Sequence, residues 1–475
     1  MALVVFLLAW AGFFPGAFTV DSTQQWEQIS AGVYQDWHPV FHTWLMGLLR
    51  SIWDTPGVVS LTQSVAFAAV LGRLSRALAV AGVPRPATIG FPLVMAFAPN
   101  AWTLTIAVWK DVPFGICVLW VFAEVVVLGE DPERFRRFGP LRFGLALLGV
   151  FTFRHNGLLV AGMVLLGALW VLRRSPRSMA IVSLVSVGGM LLIQGPLYRS
   201  LDSWPTPGLF TYTTFVHDMG GFLTEHSSEM DPADLALLAT ILPVERWSAA
   251  TADNPDGLYM CRQATALIFP PELFPSERVD RTGELRPVGE FPPVVRQNPT
   301  SNTLDLRGSE FMGIWADAAL RWPGTLIGHR LCVSGVAWSP VPVNGGVPWT
   351  VPLRISPNSA GIESDPLVPA LTAPLTSVAG WWAQGSMFTY RPALWVYAGF
   401  LAVFVGARRR GGLATRWLWA LPGFASWISV VLFTPGQSYR YVWPAHLCAL
   451  ASLALAIRPV TGRAHGRSEP GRRRR

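Results

Sequence analysis

Five short polar clusters interrupt an otherwise apolar chain, and their residue types are those of acid–base and phosphate chemistry. Asp21 follows the apolar stretch 2–18, and a turn Asp36-Trp37-His38-Pro39 comes about fifteen residues later. Trp109-Lys110-Asp111, Arg154-His155-Asn156 and Tyr439-Arg440-Tyr441 stand at the edges of later apolar runs. Carboxylates at a bilayer surface are expensive and usually serve proton or ion handling. Asp21 suits a general base taking a proton from an acceptor hydroxyl, or else a helix cap, since Asp-Ser-Thr is also good capping chemistry. Asp36 and His38 either shape a site, holding a metal or phosphate, or simply start a helix. A hard divalent cation such as magnesium or manganese would want oxygen ligands. One histidine with scattered aspartates leaves that cation an option rather than a requirement.

Lys110 is the only lysine among 37 basic residues. A compact ammonium beside Asp111 suits a phosphate or carboxylate; snorkelling at a helix end is the plainer reading. Arg154 and Arg440 can clamp phosphate oxygens in pairs, with Asn156 and Tyr439 beside them, or can be ordinary interfacial residues. His217-Asp218, farther along, reads as a structural pair.

The elements that position these groups are membrane helices. The 475-residue chain is 51% hydrophobic and only 14% charged, where soluble domains carry about 25% charged residues. The apolar runs are 2–18, 57–80, 86–108, 112–129, 141–153, 157–172, 178–197, 391–407, 414–434 and 441–457. The first lacks a basic leader and a small-residue cleavage site, so it reads as a retained helix rather than a signal peptide. The formal charge of +8 comes from arginines flanking apolar runs, which argues against nucleic-acid binding and for cytoplasmic loops. Arg73, Arg76, Arg85, the 131–142 loop, Arg173–Arg177, Arg408–Arg410 and the tail 458–475 then lie inside. Residues 40–53 are too short to span and read as an amphipathic helix on the outer surface. Every polar cluster named above falls on the outer side, where together they make one site. The expected organisation is an N-terminal membrane module (1–197) whose first loop (19–56) carries the site. An extracytoplasmic domain (198–390), C-terminal helices (391–457) and a basic cytoplasmic tail (458–475) follow. Cys261 and Cys332, both in the exported region, could pair.

The chain resembles the GT-C class of lipid-linked-sugar glycosyltransferases. Asp21 and the turn Asp36-Trp37-His38-Pro39 are similar to the first loop of protein O-mannosyltransferases, and a related loop occurs in lipid A aminoarabinose transferases. The set Asp21-Ser22…Gln25, Trp37-His38-Pro39, Trp109-Lys110-Asp111, Arg154-His155-Asn156-Gly157 and Arg440-Tyr441 looks like that of an uncharacterised bacterial family of GT-C-like membrane proteins. The resemblance covers about 1–200 and 380–457. It departs where Ser22 replaces a second acid and where the turn has one proline instead of two. It implies an all-α polytopic membrane protein with about ten transmembrane helices and a mostly irregular or helical extracytoplasmic domain. The implied site has Asp21, Asp36 and His38 as catalytic residues, with Lys110, Asp111, Arg154, Asn156, Tyr439 and Arg440 holding phosphate. The implied reaction is transfer of a hexosyl or pentosyl group from a polyprenyl-phosphate carrier to an extracytoplasmic glycan, lipid or protein acceptor. It would take place at a bacterial plasma membrane, in cell-envelope glycan or glycoconjugate synthesis. A transporter or flippase of lipid-linked saccharides is the alternative; no inverted repeat of the transporter kind is visible.

Overall fold

The computed structural model describes residues 1–206, 208–241, 244, 247, 302–343, 351, 353–355 and 357–457, with strand residues 277–279 and 285–287. The chain is a multi-pass α-helical membrane protein. Its first half runs through α1 (Ala2–Gly12), α2 (Val20–Ala31), α3 (Val40–Arg50), α4 (Gly57–Val80), α5 (Arg85–Phe97), α6 (Pro99–Thr105), α7 (Asp111–Glu130), α8 (Pro132–Phe138), α9 (Pro140–Phe153), α10 (Gly157–Leu172) and α11 (Pro176–Ser200). Helices α12 (Thr213–His226) and α13 (Pro232–Ile241) follow, then α14 (Asn302–Arg321) and α15 (Pro323–Val333). The chain ends in α16 (Pro369–Gln384), α17 (Ala393–Arg409), α18 (Arg416–Phe433) and α19 (Tyr439–Leu455). One short antiparallel hairpin, Glu277–Val279 with Leu285–Pro287, is the exception to an all-helical chain among the described residues.

All ten expected runs are helical, but fewer have the length to span. Helices α4, α7, α11 and α18 are long and apolar enough to cross a membrane, and the bent pair α5–α6 makes a fifth if it is one span. The bend is 64°. Pro99 causes it, because a proline lacks the amide and forces the preceding residue out of the helical region; Ala98 accordingly takes φ −62° and ψ 124°.

Helix α7 is the axis. Its apolar residues run all the way round, and 83% of its most apolar stretch is buried, as expected of a helix surrounded by others. It packs on α4, α9 and α19. Its 20 residues rise about 30 Å, the thickness of a bilayer core. By contrast α11 is only 11% buried and leans on α9 at the periphery. At one end of the bundle Arg416 grips Glu130 (2.7 Å), and the Arg410 Nε donates to the Ala81 carbonyl (2.9 Å); this is the arginine end. The other end carries α2 and α3, packed through Trp26, Met46 and Val59; this is the first-loop end.

Two findings refine the expected organisation. Helix α16 lies in the stretch assigned to the exported region, yet it packs along α1 and α6. Thr372 donates to the Gly12 carbonyl (2.7 Å), and Ala379 joins the main core. Second, the described part of 198–390 has a core of its own, with Val216, Met219, Phe222 and Phe311 fully buried. There Asp218 accepts from Arg330 (2.7 Å), His329 (2.8 Å) and Trp315 (3.1 Å), the structural role read for the His217-Asp218 pair. Cys332 is disulfide-bonded, while Cys117 and Cys448 are free. Cys261 and the tail 458–475 lie outside the described residues.

Candidate functional site

Two chain crossings place the first loop beside the start of α7. Gly16 has φ +117°, and a Cβ there would sit 2.5 Å from the Ile106 carbonyl oxygen, so glycine alone permits the approach. The Ala17 amide donates to Ile106 (2.9 Å) and the Val108 amide donates back to Ala17 (3.0 Å). Ser22 Oγ then donates to the Val108 carbonyl (2.8 Å), and the Trp109 indole N–H donates to Thr19 Oγ1 (2.6 Å). Thr19, not Asp21, is the N-cap of α2, in a capping box with Ser22. That leaves the Asp21 carboxylate to accept from Arg440 at 2.7 Å.

From Asp21 the charges continue as a chain. Arg440, at the start of α19, also lies 3.9 Å from Asp111 Oδ2. Asp111, at the start of α7, accepts from Arg154 at the end of α9. Tyr441 wedges between the two arginines: Arg154 lies 4.8 Å and Arg440 5.1 Å from its ring centre, and its hydroxyl accepts from Arg440 (3.3 Å). Trp109 stacks under Arg440 at 4.7 Å. Such cation–π contacts hold guanidinium planes in fixed orientation. Lys110 lies 2.6 Å from His38 Nδ1. Five elements remote in sequence thus converge, with Asp21 and Arg440 separated by 419 positions.

Among the described residues three cations face two carboxylates, which leaves one positive charge unmatched there. Burial raises the Asp21 carboxyl, but Arg440 and Lys110 outweigh it and hold it well below the usual carboxylate range. Burial, reinforced by Lys110, pushes His38 well below its ordinary value, so the ring is neutral at pH 7 and accepts from the ammonium. Burial also pushes Lys110 down to about 8, against the pull of Asp21 and Asp111. Two buried polar atoms of the cluster, His38 Nε2 and Asp111 Oδ2, have no hydrogen-bond partner among the described residues. Unmade bonds of that kind are costly unless a ligand completes them.

Asp21, His38, Lys110, Asp111, Arg154 and Arg440 therefore come together, whereas three other expected residues do not. The Asp36 side chain accepts from the Val40 amide (3.3 Å) at the start of α3, and its backbone meets Trp204 (2.9 Å), Thr206 (2.6 Å) and His155 (3.1 Å). Asn156 starts α10 and donates to Ser429 (3.2 Å). Tyr439 points into the bundle, where its hydroxyl meets Asn100 (2.5 Å) and His446 (2.8 Å); its neighbour Tyr441 is the tyrosine at the cluster. Thr19 builds the site without having been named in the sequence reading, and Trp109 and Tyr441, named there only as members of their clusters, hold the arginine planes. Among the described residues no three His, Cys, Asp or Glu side chains are placed to hold a metal ion. Both clustered carboxylates already take arginine partners, so the residues present do not fit magnesium or manganese.

Beside the cluster opens an apolar groove of about 420 Å³ between α3, α4, α7 and α9. His42, Pro113 and Phe153 line its near end, and Arg73 and Arg142 its far end. Phe153 adjoins Arg154 in the chain and Pro113 lies two positions from Asp111, so the groove runs past the segments that carry the cluster.

No known family matches the sequence, and no curated protein does. Among solved structures, ArnT from Cupriavidus metallidurans bound to undecaprenyl phosphate is similar at 14% identity, covering 94% of this chain and 76% of that one, with a TM-score of 0.34. The apo form of ArnT gives the same coverage and identity with a TM-score of 0.33.

Proposed function

We propose that the protein is a membrane glycosyltransferase that moves a sugar from a polyprenyl-phosphate carrier to an extracytoplasmic acceptor, with the first-loop end as its active face. The observation that carries this reading is a cationic cluster with one unmatched charge at the mouth of an apolar groove. A headgroup phosphate needs cations and its prenyl tail needs apolar walls, and here the two adjoin. In the reaction, the bond from the anomeric carbon to the phosphate oxygen breaks and one from that carbon to the acceptor oxygen forms. Lys110, Arg154 and Arg440 hold the departing phosphate as its charge grows, which is where preorganised cations act most strongly. Asp21 takes the acceptor's proton. Its pairing with Arg440 makes this conditional: a phosphate that draws Arg440 to itself leaves the Asp21 carboxylate less stabilised and therefore more basic.

The test is incubation of the protein in lipid nanodiscs with a panel of polyprenyl-phosphate sugars and candidate acceptors, reading release of polyprenyl phosphate. Release by wild type and its loss in Arg440→Gln supports the reading. Movement of the lipid sugar to the opposite leaflet of vesicles without carrier release would support a transporter instead.

A further inference from the structure

The charges within the bundle are separate from those at its end. Glu124, fully buried in α7, lies about 20 Å along that helix from Asp111 at about 1.5 Å per residue. Arg73 of α4 grips both its carboxylate oxygens, at 2.7 and 2.9 Å. Arg142 of α9 adds a bond from Nε at 3.2 Å, and the Trp120 indole another at 3.3 Å. One carboxylate therefore serves two guanidiniums. The Arg142 side chain is 41% exposed, and among the described residues its terminal nitrogens donate to no protein acceptor.

Ionic groups at membrane depth are kept for pairing or for function. One arginine, bound through two of its nitrogens, already neutralises Glu124; the second is surplus to the pair. Arg73 and Arg142 also line the far end of the apolar groove. A free guanidinium fork matches the oxygens of a phosphate diester, and apolar walls run away from it. By the distribution of arginines this end faces the cytoplasmic leaflet. We propose that the Arg73–Arg142 end of the groove binds the anionic headgroup of a phospholipid from that leaflet, with an acyl chain lying in the groove. The distance to the first-loop cluster makes this a second headgroup site rather than an extension of the first, and it stands whether or not that cluster is catalytic.

The test is native mass spectrometry of the full-length protein in detergent with an equimolar mixture of dioleoyl-phosphatidylglycerol and dioleoyl-phosphatidylcholine. Wild type retains the anionic lipid preferentially. Arg142→Gln lowers that preference about fivefold, the factor one basic side chain is worth near an anionic headgroup, while Arg142→Lys keeps most of it. Arg50→Gln, which removes an arginine of α3 paired with Asp54 at the other end, leaves it unchanged. Ala69→Trp fills the groove one turn from Arg73 and lowers retention with both arginines in place, so the inference stays testable if Arg142→Gln fails to fold. Equal retention of the two lipids by wild type, or a preference unmoved by Arg142→Gln and Ala69→Trp, would overturn it. Displacement of the lipid by millimolar inorganic phosphate would overturn it in favour of a free-anion site.

Discussion

Lys110 gives the sharpest quantitative expectation. Its ammonium has a pKa of about 8 because burial outweighs the attraction of Asp21 and Asp111. If that charge holds the donor phosphate, donor affinity falls as the proton leaves. At pH 9, one unit above the pKa, about a tenth of the protein carries the charge. The apparent KM for the donor then rises up to about tenfold between pH 7 and pH 9. Unfolding cannot mimic this through Lys110. Between about 8 and 10.5 the unfolded chain holds more proton on this residue than the folded one, so by itself the group makes the fold more stable as pH rises. Lys110→Arg moves the ionisation out of range and flattens the alkaline limb, at some loss of affinity because the longer fork cannot keep the 2.6 Å contact with His38. Lys110→Met raises KM at every pH. The loss of a charged hydrogen bond, about 1.5–3 kcal/mol, corresponds to roughly ten- to 150-fold. The assay is initial-rate release of polyprenyl phosphate in nanodiscs across pH 6.5–9.5, with near-UV circular dichroism as the folding control. A KM that is flat across this range in wild type, or an alkaline limb that persists in Lys110→Arg, would refute the assignment of phosphate binding to Lys110.

Three further outcomes follow from the same geometry. Asp21→Asn lowers kcat by about 10²–10⁴-fold, the usual worth of a general base, with little change in donor KM; a loss below tenfold at saturating donor would remove Asp21 from that role. Thr19→Val deletes both the α2 cap and the acceptor of the Trp109 indole, so the thermal midpoint falls by the equivalent of about 1–2 kcal/mol and donor KM rises as Lys110 loosens. Tyr439→Phe breaks the bonds to Asn100 and His446, costing about 1–2 kcal/mol of stability and leaving donor KM unchanged, which separates a core tyrosine from a phosphate ligand.

The individual charges of the site were legible in the sequence because each interrupts an apolar run. Lys110 stood out by being the only lysine, and Arg154 by breaking what would otherwise be one hydrophobic stretch. Their pairing was not legible. That Asp111 serves Arg154 and Asp21 serves Arg440 depends on helix packing between segments far apart in the chain. Tyr439 and Tyr441 could not be told apart because successive pairs on a helix face different ways, and which faces the cluster depends on how α19 is rotated about its axis. Asp36 and His38 were both expected to shape the site; His38 lies against Lys110, whereas the Asp36 carboxylate accepts from the Val40 amide. Arg73 and Arg142 were read only as markers of sidedness, and Glu124 is hidden inside an apolar run, so the buried triad had no sequence signal as a unit. Helix α16 was absorbed into an irregular region because Pro369 and Pro374 mask its apolar face. Pro99 did carry the signal for the α5–α6 bend, but the run 86–108 was read as one uninterrupted span.

The central claim is that Lys110, Arg154 and Arg440 hold a lipid-linked phosphate at the mouth of the groove. The most direct measurement is a cryo-electron microscopy structure of the protein in nanodiscs with bound polyprenyl phosphate. The account predicts phosphate density within hydrogen-bond reach of those three side chains, Arg440 drawn away from Asp21, and the first prenyl units lying along His42, Pro113 and Phe153. Phosphate density elsewhere, with the Asp21–Arg440 and Asp111–Arg154 pairs intact, would contradict it.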